Sequence, residues 1–88
     1  MSTEELVAGK AWVNDRLVEL ANNMNIPIQG YEWEHEIESY SHMLVLHAGG
    51  MWMIMSLSEP DLRDCIDDET IQSKLSYRMN KLVKSLVR

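Results

Sequence analysis

Two adjacent glycines, Gly49 and Gly50, separate two apolar runs, HMLVLHA (42–48) and MWMIMSLS (51–58). A two-residue connection between antiparallel strands needs positive φ at its turn positions, and glycine adopts that conformation without steric penalty. The pair predicts a tight β-hairpin with one register. Ala48 lies opposite Met51, His47 opposite Trp52, Leu46 opposite Met53, Val45 opposite Ile54, and Leu44 opposite Met55. Side chains alternate across a strand, so this one turn assigns every residue of both strands to a face.

A third run, GYEWEHEIESYSH (30–42), carries glutamate at every second position: Glu32, Glu34, Glu36 and Glu38. Tyr31, Trp33, His35 and Ile37 alternate with them, which is the period of a strand. A hairpin turning at Tyr40-Ser41 sets Glu38 opposite Met43, Glu36 opposite Val45 and Glu34 opposite His47. The two registers together sort the sheet. One face collects Trp33, His35, Ile37, Leu44, Leu46, Met53 and Met55 and is the expected core side. The other collects Glu34, Glu36, Glu38, Met43, Val45, His47, Trp52 and Ile54.

Helices are expected on both sides of this meander. Ser2-Thr3-Glu4-Glu5 fits a capping box, and Leu6, Val13, Leu17, Leu20 and Met24 follow as one apolar stripe with a single seven-residue step spanning Lys10. The stretch NNMNIP ends that helix, because asparagine favours caps and Pro27 forces Ile26 out of helical geometry. Ser58 is positioned to cap a short helix in SEPDLRDCI, with Pro60 in its first turn. Asp67-Asp68-Glu69 opens a longer helix striped by Ile71, Leu75, Met79, Leu82 and Leu86, with Lys81, Lys84 and Arg88 in its last turns. The expected fold is α+β: a single domain over residues 1–88 in the order α-β-β-β-α-α. Eighty-eight residues leave no room for a second core.

The formal charge of −6 is unevenly spread. Residues 1–69 carry all fourteen acids and a net −11, whereas residues 70–88 carry five bases and no acid. An acidic surface repels nucleic acid and anionic membranes. The lone Cys65 forms no internal disulfide, and the acidic N-terminus lacks the apolar core of a signal peptide, so a cytoplasmic protein without a membrane span is expected.

The second sheet face is the candidate site. A solvated antiparallel face is normally polar across its width. Here its centre is Met43, Val45, Trp52 and Ile54, bordered by Glu34, Glu36, Glu38 and His47. An exposed apolar patch rimmed by charge marks an interaction surface. The expectation is a non-catalytic protein–protein interaction module, a homodimer or a small adaptor. The competing arrangement has the basic C-terminal helix crossing this face and covering it within one chain. Met53 and Met55 are expected to fill the core, with Met43 and Met51 available to a partner. Glu34 and Trp52 as cross-strand neighbours of His47 suggest a pH-sensitive contact.

Other chemistries are disfavoured. His35 and His47 lie on opposite faces, and no Cys-x-x-Cys or His-x3-His spacing occurs, so structural histidines are expected and no metal, cofactor or small ligand is assigned. Glutamates in a flat row share one wet environment, whereas acid–base catalysis needs carboxylates in differing ones. No nucleophile elbow or phosphate-cradling glycine loop is present. The alternative function is nucleic-acid binding through Lys81, Lys84 and Arg88. The order helix, three strands, helix resembles that of double-stranded-RNA-binding domains. Those domains place lysines at the start of the last helix, where this chain has Asp67, Asp68 and Glu69, so the resemblance is one of element order and implies no function.

Overall fold

The computed structural model describes residues 3–36 and 38–86. Their order is α1 (Thr3–Asn23), β1 (Ile28–Glu36), β2 (Ser41–Ala48), β3 (Met51–Ser58), α2 (Glu59–Asp64) and α3 (Glu69–Lys84). The three strands form one antiparallel sheet in the order β1-β2-β3. The α+β expectation holds. No helix among the described residues is long and apolar enough to cross a membrane.

Each boundary has a local cause. Asn25 takes φ +58°, and the amides of Asn25 and Ile26 donate to Asn22 O and Ala21 O at 3.1 and 2.9 Å, a Schellman ending for α1. Ser58 Oγ accepts from the Asp61 amide at 3.3 Å and starts α2 with Pro60 in its first turn. Asp68 Oδ1 accepts from the amides of Thr70 and Ile71 at 2.9 and 3.3 Å and starts α3. The Ser2 half of the expected capping box lies outside the described residues.

The β2–β3 hairpin has the expected register pair for pair. Gly49 and Gly50 take φ of +59° and +79°, as a primed two-residue turn requires. Pro27, just before β1, and Gln29, within it, pin the tip of this hairpin. The Gly49 amide donates to Pro27 O and the Gly50 amide to Gln29 Oε1, both at 3.1 Å.

The β1–β2 register differs from expectation by four residues. Glu34 pairs with Met43, Glu32 with Val45 and Gly30 with His47, and β1 ends at Glu36 opposite Ser41. The described turn residues are therefore 38–40, ahead of Ser41, instead of a turn at Tyr40-Ser41. Two features hold them there. Tyr40 adopts φ +50°, uncommon for a non-glycine residue, and its carbonyl accepts from the Glu59 amide at 2.9 Å, a contact from outside the hairpin. Because four is even, each β1 residue keeps its expected face. Glu38 leaves the sheet for the turn, and Glu32 takes its place in the acidic row. Ile37 lies outside the described residues.

The core lies between the inner sheet face and the helices. Leu44, Leu46, Ala48, Met55 and Leu57 meet Val13, Leu17 and Ala21 of α1, Leu62 of α2, and Leu75, Met79 and Val83 of α3, all buried. The basic helix α3 thus packs on the inner side and leaves the second face uncovered. Trp33 is partly buried and its Nε1 donates to Asn14 Oδ1 at 3.1 Å.

The gap in the α1 stripe is occupied by Gly9. It sits three residues after Leu6 and four before Val13, on the buried side of the helix. A Cβ placed there would fall 1.8 Å from Leu62 O and 2.7 Å from Leu62 C, far inside van der Waals contact. The α1 and α2 backbones touch at this point, and hydrogen is the only side chain that fits.

Gly9→Ala is expected to cost about 3 kcal/mol or more, since the clash is with backbone that no rotamer change relieves. Gly30→Ala, whose Cβ meets nothing within 4 Å, should be neutral or stabilising by up to about 1 kcal/mol. Urea denaturation of the two variants beside the unaltered chain measures both.

Candidate functional site

The outer sheet face is built in three rows. β1 contributes Glu32, Glu34 and Glu36, β2 contributes Met43, Val45 and His47, and β3 contributes Trp52, Ile54 and Ser56. The glutamates are exposed, the β2 side chains half-buried among their neighbours, and Trp52 and Ile54 are 64% and 61% exposed. Of the residues expected on this face, Met43, Val45, Trp52, Ile54, Glu34, Glu36 and His47 share it, while Glu38 lies in the turn. Met51 pairs with Ala48 and belongs to the inner side.

His47 and Trp52 stack, with ring centroids 4.2 Å apart and planes 7° from parallel. The expected carboxylate neighbour is absent, because the register moves Glu34 opposite Met43 and sets Gly30 opposite His47. The geometric basis for a pH-sensitive contact at His47 is thereby removed. The stacked pair instead forms a flat, rigid end to the apolar patch.

The basic residues separate. Arg78 Nη2 donates to Ser56 O at 2.6 Å, reaching from α3 to the β3 edge. Lys74 pairs with Asp61 at 2.7 Å. Lys81 lies over the Tyr77 ring at 5.5 Å from its centroid. Lys84 is exposed, and Arg88 lies outside the described residues. Arg78 and Lys81 join Ile54 and Ser56 around a groove along the β3 edge. The outer face is therefore acidic along β1 and bordered by bases along β3.

A second cluster lies on the inner face at the far end of the sheet. His35 pairs with His42 across β1 and β2, and their rings stack at 4.3 Å and 2°. Glu59, the first residue of α2, directs Oε1 to both. It accepts from His42 Nε2 at 3.2 Å and lies 3.9 Å from His35 Nε2. Arg63 Nη2 donates to the other oxygen, Oε2, at 3.0 Å. His42 is 2% exposed, whereas the His35 side chain is 48% exposed. Burial holds the His42 pKa below its ordinary value, against the opposing pull of the Glu59 hydrogen bond. The hydrogen bond from His42 holds the Glu59 carboxyl below its ordinary range, with Arg63 adding to the effect. Among the described residues, His42 Nδ1 is buried without a partner.

Sequence spacing gave no signal for this cluster. The expectation compares His35 with His47, which are indeed on opposite faces, and reads His42 with them as a structural histidine. His42 follows from the true β1–β2 register, and Glu59 arrives only through the α2 start. The expected reading of Cys65 as a lone thiol is extended by its burial, which raises the thiol pKa.

Comparison with protein families, curated proteins and solved structures finds no match for this chain.

The two faces make opposite demands on stability. Leu46→Ala, at a fully enclosed core position, should cost about 2–5 kcal/mol. A double-mutant cycle on His47 and Trp52 should return a coupling of about 0.2–1 kcal/mol, the range of a cross-strand pair on a solvated face. Thermal and urea unfolding of the single and double alanine variants measures both quantities.

Proposed function

We propose that this chain is a non-catalytic protein–protein interaction module that associates with a second copy of itself through the outer face of its sheet. The observation that carries this reading is the exposure of Trp52 and Ile54 beside Met43 and Val45 on a face that no helix covers among the described residues. Large aromatics dominate interface energetics, and covering a side chain such as Ile54 contributes about 1.5–3 kcal/mol.

Charge favours a second copy over an unrelated partner. A two-fold axis parallel to the strands stacks two outer faces with β1 of one copy over β3 of the other. The Glu32, Glu34 and Glu36 row of each copy then approaches Arg78 and Lys81 of its mate. An axis perpendicular to the strands would instead oppose the two glutamate rows. Complementary potentials of this kind fix orientation and suppress wrong pairings.

Area sets the strength. One nine-residue and two eight-residue strands cover a projected footprint of about 26–30 by 14 Å. That is small beside the roughly 800 Å² per partner of a standard interface. The association is accordingly weak and reversible, and it draws on the charged borders as well as the apolar centre. A cytoplasmic setting is consistent with the single thiol.

Light scattering on a sizing column across a dilution series is the test. A dimer dissociating at roughly micromolar concentrations is expected, weakened by salt and lost in Trp52→Ala while that variant keeps the circular dichroism of the parent. Glu34→Lys should weaken it too. A monomer at every concentration up to about 1 mM would defeat the proposal, as would a dimer indifferent to both substitutions.

A further inference from the structure

We propose that His35, His42 and Glu59 form a binding site for one divalent transition-metal ion of the zinc class. The three side chains come from β1, β2 and the start of α2, and one donor atom from each lies within 4.8 Å of the others. Donors bound to a tetrahedral ion at about 2.0–2.1 Å lie about 3.3 Å apart. His42 Nε2 and Glu59 Oε1 already have that separation, at 3.2 Å. His35 Nε2 stands 3.9 Å from the same oxygen and closes that gap as its ring turns.

The supporting groups divide between fixed and movable. Arg63 holds Oε2 of Glu59 and thereby aims Oε1 at the histidines, the part that outer-shell partners play around metal ligands. His42 is fixed by burial. Parallel stacked rings send their Nε2 lone pairs side by side, so binding requires one ring to turn. His35 is that ring, with its side chain half-exposed on an edge strand. The same exposure gives the ion a way in from solvent.

Two imidazoles and one carboxylate select zinc, nickel, cobalt or copper over magnesium and calcium, which prefer all-oxygen shells. On binding, the ion replaces the proton that His42 Nε2 donates to Glu59, and the ring proton moves to Nδ1. Nδ1 has no acceptor there among the described residues, so the affinity falls short of sites in which every ligating histidine has a partner for its second nitrogen. The bound ion would link β1 and β2 to α2 at the end of the sheet where the 38–40 turn already meets Glu59.

The test is Zn²⁺ binding to the full chain after chelator treatment, measured by competition with a chromophoric chelator. One Zn²⁺ per chain is expected, with binding weakened roughly tenfold or more in His35→Ala and in Glu59→Gln. His42→Ala risks unfolding the chain, whereas His35 is half-exposed and glutamine keeps the shape of Glu59. Long-range proton–nitrogen spectra of the imidazoles should show Zn²⁺ shifting Nε2 of His35 and His42 while leaving His47 unchanged. Equal Zn²⁺ affinity in the parent and both variants would overturn the proposal. Absence of measurable Zn²⁺ binding would overturn it as well.

Discussion

The contact of Gly9 with the Leu62 carbonyl is the constraint on which the helical layer depends. It lets α1 and α2 approach until their backbones touch. Leu62 is then enclosed beside Val13 and Leu17, and Cys65 donates its thiol to Leu62 O from the other side at 3.4 Å. α2 follows β3 directly, so its position also determines where Glu59 stands. Glu59 in turn holds the Tyr40 carbonyl through its amide and His42 through its carboxylate. A single missing side chain on α1 thus bears on the turn between β1 and β2, at the other end of a chain of contacts.

Legibility in the sequence followed the range of the interaction. The Gly49-Gly50 turn, the Ser58 cap, the acidic start of α3 and the ending of α1 in NNMNIP are decided within a few residues and are readable from them. The sequence does not single out Asp68 as the cap or Asn25 as the positive-φ residue. The β1–β2 turn was not readable locally, because Tyr40 in positive φ is stabilised by an amide nineteen positions later. Nothing in the Tyr-Ser dipeptide carries that information. The face assignment survived the error since the displacement was even. The interruption in the α1 stripe was visible as a seven-residue step, and its meaning became plain only once α2 was seen to cross there.

The two candidate clusters illustrate the same division. The outer-face residues Met43, Val45, Trp52 and Ile54 follow from strand period and one turn, so they could be assembled on paper. The His35–His42–Glu59 group joins three elements through a register and a helix start that no local pattern specifies. Its members also differ in environment, from an enclosed His42 to a half-exposed His35, whereas the glutamates of the outer face share one. Differing environments are what allow like side chains to take different roles.

Arg78 has a consequence for how such a sheet can grow. An edge strand offers a column of unsatisfied backbone groups to any extended segment that drifts alongside it. In β3 one of those acceptors, the Ser56 carbonyl, is already taken by a guanidinium from the same molecule. An incoming strand would have to displace a charged donor at that rung, and it would find only a short run of free rungs beyond it, toward Trp52. The opposite edge, β1, is lined by glutamates that repel their own kind. Lateral extension into a fibre is obstructed at both borders, and the broad face is left as the surface on which the proposed self-association draws.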